Sequence, residues 1–134
     1  MTYLLDTKLC IFYLKDMHRN LSEKLLGMPT SSIKIPSMVA AELLFGAEKS
    51  NKREYNLKIF KSFLSIYEII PFDESAAEHY SRIRAELERS GVMIGGNDLV
   101  IAATTLASGG TLVTNNTREF SHIKGLLIED WTVG

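Results

Sequence analysis

The chain has 134 residues, of which 46% are hydrophobic, and this size suits one compact domain with a sizeable core over residues 1–134. Its formal net charge of −1 and pI near 6.3 argue against the general electrostatic affinity for nucleic acid that a strongly basic domain has. The single cysteine excludes an intrachain disulfide, and no apolar run reaches membrane-spanning length, so we expect a cytoplasmic protein with no membrane partner.

Short β-rich runs alternate with longer helical patterns along the sequence. Strands are predicted over 3–5, 33–35, 66–70, 111–113 and 126–128. Helices are predicted over 8–15, 20–26, 37–49, 52–65, 74–90 and 97–108, with Ser37 and Asp73 as N-caps. This alternation indicates an α/β fold in which a mostly parallel central sheet of about five strands is flanked by helices.

The first acidic residue at a structurally informative position is Asp6. It follows the predicted strand 3–5, and in a parallel sheet the residues just past a strand's carboxyl end line the crevice where ligands bind. Asp is also a favoured N-cap, so capping the helix that begins at Thr7 is the alternative role.

Two further acids lie in strongly apolar helical segments. Glu42 occurs within the apolar segment 37–47, where a buried carboxylate needs a partner. A structural ion pair is the alternative to a metal ion, although the nearby Lys34 and Lys49 are not at helical contact spacing from Glu42. Asp98 begins the apolar segment 99–103, where the alternative is a first-turn residue capped by Asn97. Three acids from three separate elements favour a shared metal ion.

The choice of ion follows from the ligand type. Carboxylate oxygens suit Mg²⁺, and Mn²⁺ has the same preference for oxygen. Zinc usually takes cysteine or histidine, and the three histidines, His18, His79 and His122, have no ligand spacing. The sequence therefore predicts a magnesium site.

Four segments, 4–7, 37–47, 94–103 and 112–120, contain these acids and a fourth, Glu119. They resemble, in that order, the Leu-Leu-Asp-Thr-Asn, Ser-x-x-x-x-Glu-Leu-x-x-Gly-Ala, Ile-Gly-x-x-Asp-x-x-Ile-Ala-Ala and Leu-Val-Thr-Asn-Asn-x-x-Glu-Phe segments of PIN-domain ribonucleases. The resemblance is specifically to the VapC toxins of bacterial toxin–antitoxin pairs, and it covers essentially the whole chain.

The resemblance implies a three-layer α/β/α PIN-like fold and a single PIN domain over 1–134. It implies a toxin that cleaves RNA phosphodiester bonds with Mg²⁺ or Mn²⁺, and transfer RNA is the expected substrate. Asp6, Glu42 and Asp98 would be the metal ligands, and Glu119 would complete the catalytic set, with Asn115 or Asn116 as the alternative.

The resemblance also implies partners. It predicts a homodimer with a groove for the helix of a cognate VapB-like antitoxin, and contact with DNA only through that antitoxin. An arginine of the antitoxin is expected to block the acidic pocket through charge-assisted hydrogen bonds. For RNA, local basic patches must supply the attraction. The densest groups are Lys49, Lys52, Arg53, Lys58 and Lys61, and Arg82, Arg84 and Arg89, for which a solvated helix face is the alternative.

One residue departs from the family pattern. Lys8 occupies the position where the family has Asn, two residues after Asp6, and a cation there is expected to weaken metal binding. A non-catalytic module that binds antitoxin and RNA is therefore one alternative function. Another is a haloacid-dehalogenase-like phosphotransferase with Asp6 as nucleophile, although that class expects a second Asp where Lys8 stands.

Overall fold

A five-stranded sheet, in which all four neighbouring pairs of strands are parallel, organises the chain. The structure is a computed structural model that describes residues 1–133. The strands are β1 (Tyr3–Leu5), β2 (Ile33–Pro36), β3 (Glu68–Ile70), β4 (Thr111–Val113) and β5 (Leu127–Glu129). Their order across the sheet is β3-β2-β1-β4-β5.

Seven helices in the described part of the chain flank the sheet and complete the predicted α/β/α architecture. They are α1 (Thr7–Leu14), α2 (Arg19–Leu26), α3 (Ser37–Glu48), α4 (Arg53–Leu64), α5 (Glu74–Arg89), α6 (Gly96–Ser108) and α7 (Thr117–Phe120). A short 3₁₀ helix, Thr30–Ser32, precedes β2. Within residues 1–133, no helix combines the length and the apolarity that crossing a bilayer needs.

Two predicted strand starts are wrong because the preceding helical turns use their backbone donors. The N–H groups of Ile66 and Tyr67 bond back to the carbonyls of Phe63 and Leu64, at 3.2 and 3.4 Å, so β3 begins only at Glu68. The Leu126 N–H likewise bonds to the Ile123 carbonyl at 3.4 Å, and β5 begins one residue later.

The caps of two helices differ in how well the sequence predicts them. Asp73 caps α5 as predicted, because its Oδ1 accepts a 2.9 Å hydrogen bond from the Ala76 N–H. Ser37 is not a cap: Pro36 occupies the N-cap position of α3, and no side chain caps that helix. The extended backbone of Pro36 (φ −60°, ψ 142°) turns the chain from β2 into α3 instead.

The order of the strands determines where a ligand crevice opens. From β1 the chain proceeds to β2 and β3 on one side of the sheet and then returns to β4 on the other side of β1. In open parallel sheets, ligands bind outside the carboxyl ends of the strands at such a switch point. The ends of β1 and β4 are held together here, since the Asp6 N–H donates to the Val113 carbonyl at 3.1 Å.

A buried core fixes this arrangement. Leu5 and Val113 of the two central strands are fully buried, and Leu9 and Ile101 from α1 and α6 pack in the same cluster. Burying side chains of this size contributes roughly 1.5–3 kcal/mol each, so the strand ends that hold the crevice are well anchored.

Candidate active site

Asp6 has both of the roles that its position allows. It is the N-cap of α1, where its Oδ1 accepts a 2.9 Å hydrogen bond from the Leu9 N–H, and its side chain also lines a cavity at the carboxyl ends of β1 and β4. Burial raises the pKa of Asp6, while hydrogen bonds from the Thr114 side chain and the Leu9 backbone and the charge of Lys8 lower it. The nearby Glu42 carboxylate raises it further.

Glu42 is held at the same cavity by two hydrogen-bond donors. The Thr7 hydroxyl donates to Glu42 Oε1 at 2.5 Å, and the Asn97 side-chain amide donates to Oε2 at 3.1 Å. Each of the ion pairs in residues 1–133 involves other acids, so the alternative of a structural ion pair for Glu42 is wrong. Both of these hydrogen-bond donors, Thr7 and Asn97, are neutral side chains.

Asp98 enters the cavity from the first turn of α6. The N-cap of this helix is Gly95, not Asn97 as predicted, so Asn97 lies inside the first turn and its amide is free to reach Glu42. Burial and the carboxylates of Glu119, Glu42 and Asp6 raise the pKa of Asp98 to about 7. A carboxyl group with such a pKa is poised between its charged and neutral forms at neutral pH.

Glu119 meets Asp98 across the site. It lies on α7, which follows β4, and its side chain is within hydrogen-bonding reach of the Asp98 carboxyl group. Within residues 1–133, Glu119 Oε1 is a buried oxygen that receives no hydrogen bond. Two carboxylates cannot hydrogen-bond without a proton, so this pair calls for either a shared proton or a cation.

These residues surround one cavity of about 310 Å³. Its lining combines three of the predicted acids with Lys8, both predicted asparagines and the apolar side chains that close the wall. The lining residues are Asp6, Thr7, Lys8, Ile11, Glu42, Asp98, Asn115, Asn116 and Phe120. Glu119 reaches the site through its contact with Asp98, so the structure brings together the side chains that the sequence singled out.

The acids approach one another without closing into a compact cluster. Within residues 1–133, no group of three or more His, Cys, Asp or Glu side chains has the geometry to hold a metal ion. Glu42 is held by hydrogen bonds from Thr7 and Asn97, while Asp98 lies beside Glu119. The donor set is nevertheless all oxygen, which is the chemistry that Mg²⁺ and Mn²⁺ prefer.

One functional contact was missed by sequence reasoning. Asn97 was predicted only as a cap, yet it donates to Glu42, which lies 55 residues away in the chain. The sequence signal for this contact was the place of Asn97 beside Asp98, at the start of an apolar helix that begins at the crevice.

A five-stranded parallel sheet with carboxylates converging at its switch point defines a PIN domain, and the PIN domain family model matches residues 3–126. The chain belongs to the PIN domain family and, within it, to the VapC ribonucleases. It is 42% identical over 134 residues to Ribonuclease VapC2 of Rickettsia felis, covering 98% of each chain. It is 42% identical over 129 residues to the tRNA(fMet)-specific endonuclease VapC of Salmonella typhimurium, covering 96% of this chain and 97% of that one.

Solved structures agree with this assignment. A chain of the DNA-bound VapBC structure from Salmonella typhimurium superimposes with a TM-score of 0.92 at 41% identity, covering 98% of both chains. VapBC2 of Rickettsia felis, bound to a promoter DNA fragment, gives a TM-score of 0.91 at 39% identity, covering 98% of this chain and 99% of that one. The three-layer PIN-like fold is thus confirmed. Because the chain belongs to the VapC ribonucleases, the alternative of a haloacid-dehalogenase-like phosphotransferase is wrong.

Proposed function

We propose that this protein is the toxin of a type II toxin–antitoxin pair and that it cleaves RNA phosphodiester bonds in a metal-dependent reaction. The observation that carries the proposal is the convergence of Asp6, Glu42, Asp98 and Glu119 at one cavity at the switch point of the sheet. Its relatives support the same chemistry, since proteins 42% identical to it are named ribonuclease and endonuclease.

The residues at the cavity suit Mg²⁺, with Mn²⁺ as a substitute. Asp6 and Asp98 would hold the ion together with Glu42, and Glu119 would hold one of its waters or a second ion. Mg²⁺ in phosphoryl-transfer sites is commonly bound through one or two carboxylates, substrate phosphate and water, so a close cluster of three acids is not required. The unpartnered Glu119 oxygen beside Asp98 supports a cation at this place.

When bound, such an ion supplies a Lewis acid that stabilises charge on the phosphodiester and makes a water a better nucleophile at neutral pH. The protein's contribution is orientation. Thr7 and Asn97 fix both oxygens of Glu42, and the N-cap bond to Leu9 fixes Asp6 on rigid backbone. The amide groups of Asn115 and Asn116 at the cavity wall are candidate donors to a phosphate oxygen.

Transfer RNA is the substrate class that we propose. The support is the 42% identity to the tRNA(fMet)-specific endonuclease of Salmonella typhimurium, which extends over 96% of this chain. A folded RNA with an exposed loop presents the single-stranded, splayed nucleotides that protein sites of this kind can reach.

An antitoxin is the partner that we propose, and the site offers a place for it. A groove of about 560 Å³ adjoins the acidic cavity and shares Thr7, Ile11 and Glu42 with it. The exposed ring of Phe45, which is 64% accessible, lies along this groove. An amphipathic helix with an arginine near its end would fill the groove and pair with the acids, which fits the VapBC complexes formed by the relatives. The complex would bind DNA through the antitoxin.

That this chain forms a homodimer stays a prediction, which analytical ultracentrifugation tests.

Cleavage of transfer RNA by purified, antitoxin-free protein tests the proposal. We expect cleavage with Mg²⁺ or Mn²⁺, none with EDTA, and a loss of at least 100-fold in Asp98→Asn. Tight RNA binding without cleavage under any of these conditions would instead favour the non-catalytic binding module. Lys8, which stands where the family has Asn, is the reason for considering that alternative.

A further inference from the structure

RNA binding by this protein poses an electrostatic problem. The cavity is lined by carboxylates and the whole chain has a formal charge of −1, so the protein as a whole does not attract a polyanion. Affinity for nucleic acid comes mainly from cations that contact phosphates. Some cations near the cavity must therefore be free to make such contacts.

Several of the chain's basic residues are already engaged. Within residues 1–133, the ion pairs are Arg19–Glu23, Lys34–Glu68, Arg53–Glu48 and Arg84–Glu88. The Lys49 ammonium lies 5.0 Å from the centre of the Phe45 ring. These contacts reduce the number of charges that the two basic groups predicted from the sequence can offer to RNA.

A second concave surface collects cations from two distant parts of the chain. This depression, of about 400 Å³, is lined by Arg89 at the end of α5 and by His122 and Lys124 after α7. Neither Arg89 nor Lys124 takes part in any ion pair of the described residues. Glu86 is the one carboxylate that lines it among residues 1–133, so the surface has a positive balance. We call it the basic depression.

The floor of the basic depression is apolar and buried. Ile83, Leu87 and Ile123 line it and are 1%, 6% and 4% exposed. Long cationic side chains commonly lie along such a surface and keep their charged ends at the rim. The depression therefore offers an apolar surface for sugar or base faces and cations for phosphates.

The basic depression adjoins the acidic site where the chain leaves α7: Phe120 lines the acidic cavity and Ile123 lines the depression. The His122 N–H donates to the Glu119 carbonyl at 3.3 Å, and the Ile123 N–H to the Phe120 carbonyl at 3.1 Å. Two residues lie between Glu119 and His122, so their Cα atoms are at most roughly 11 Å apart. Val92 also lines the depression, and it belongs to the segment that leads along the chain into α6.

We propose that the basic depression binds the phosphate backbone of the RNA strand that flanks the cleaved bond. The proposal rests on the nuclease function proposed above and names the part of the surface that holds the substrate. Arg89 and Lys124 contact phosphates, and His122 supplies a further hydrogen-bonding group. The acidic cavity then performs the chemistry on a strand that neighbouring cations keep in place.

The experiment measures binding separately from cleavage. The anisotropy of a fluorescently labelled single-stranded RNA is followed in EDTA at several salt concentrations, for the wild-type chain and for the double variant Arg89→Gln, Lys124→Gln. If both side chains contact phosphates, the slope of log K against log salt becomes less negative by about 1.4 in the double variant. Its affinity at 0.1 M salt falls on the order of 10- to 30-fold relative to the wild type. The matched control is Lys58→Gln, Lys61→Gln, which removes the same charge from exposed positions on α4.

The control binds RNA like the wild type if the proposal is right. The double variant Arg89→Lys, Lys124→Arg keeps both positive charges and should bind RNA with most of the wild-type affinity. A protein that had lost its fold would not. Equal binding by the wild type and the Gln variant, an equal loss in the α4 control, or loss of antitoxin binding in place of RNA binding would each overturn the proposal. Metal-dependent cleavage that Asp98→Asn abolishes keeps the nuclease proposal intact in all of these cases.

Discussion

The carboxyl group of Asp98 lies within hydrogen-bonding reach of Glu119, and burial together with this neighbour raises the pKa of Asp98 to about 7. The two side chains come from the start of α6 and from α7, on opposite sides of β4 in the sequence. Without a cation, the pair is more stable when it holds a proton. The site is therefore expected to respond to both pH and metal ions.

The first prediction concerns the stability of the metal-free protein. The folded state binds the Asp98 proton more tightly than the unfolded state does, so its contribution to stability is present at low pH and is lost as pH rises from about 4 to about 7. Asp98→Asn removes this loss and should raise the free energy of unfolding at pH 8 by on the order of 1 kcal/mol, a figure that allows for the carboxyl's partial exposure to solvent. At pH 4 the gain should be close to zero.

Denaturant unfolding in EDTA, followed through the fluorescence of the single tryptophan, Trp131, measures this effect. Asp16→Asn is the control, since Asp16 is exposed and its positive φ of 51° is one that Asn also adopts readily. Mn²⁺ should then stabilise the wild type at pH 8 and stabilise Asp98→Asn far less. A wild-type protein whose stability rises between pH 4 and pH 8 relative to Asp98→Asn would contradict the expectation.

The second prediction separates the two roles of Asp6. Asp6→Asn keeps an oxygen that can accept from the Leu9 N–H, so stability should change little while metal binding and cleavage are lost. Asp6→Ala should lose cleavage too and, in addition, about 1 kcal/mol of stability. Asp73→Ala is the matched control, because Asp73 caps α5 with the same 2.9 Å geometry. It should cost a similar free energy and leave cleavage intact, and a loss of activity there would show that losing a helix cap is enough to explain Asp6→Ala.

The third prediction concerns Lys8, which lines the acidic cavity and lowers the pKa of Asp6. Its ammonium opposes a divalent cation, so Lys8→Asn should bind Mn²⁺ several-fold more tightly and cleave RNA faster at limiting metal. Because Lys8 is exposed, the difference should shrink as salt is added. Isothermal titration with Mn²⁺ measures the affinity, and Lys15→Asn controls for the same charge change at the far end of α1. Equal affinity and equal cleavage in the wild type and Lys8→Asn would reject this role for the lysine.

The main part of the fold, and three acids that line one cavity, could be predicted from the sequence because their signals are local. Asp6 stands directly after a short apolar strand, and Asp98 stands in the first turn of an apolar helix, so each carries its own signal of position. What local patterns could not predict are contacts between distant segments. Asn97 donates a hydrogen bond to Glu42, which lies 55 residues away in the chain. Arg89, at the end of α5, and Lys124, which follows α7, line the same depression.

The boundaries of β3 and β5 illustrate the same limit on a smaller scale. Residues 66–67 have side chains that favour β-strands, but the turn that ends α4 uses their N–H groups as hydrogen-bond donors. Whether these residues join the turn or the strand depends on these backbone hydrogen bonds, which the side-chain pattern does not predict. Lys8 illustrates the converse: its departure from the family pattern is visible in the sequence, whereas its place at the cavity wall and its effect on Asp6 depend on the fold.

The last prediction concerns the support of Glu42 by Thr7. Their 2.5 Å hydrogen bond joins a hydroxyl to a charged acceptor, and Glu42 is only partly exposed, so Thr7→Val should cost roughly 1.5–3 kcal/mol of stability. Cleavage should also fall, on the order of tenfold, because Asn97 alone leaves one oxygen of Glu42 unrestrained. Thr7→Ser keeps the hydroxyl and should keep most of both properties. Thermal unfolding and single-turnover cleavage with saturating Mn²⁺ measure the two effects, and a Thr7→Val protein that is less stable yet cleaves RNA at the wild-type rate would confine Thr7 to a structural role.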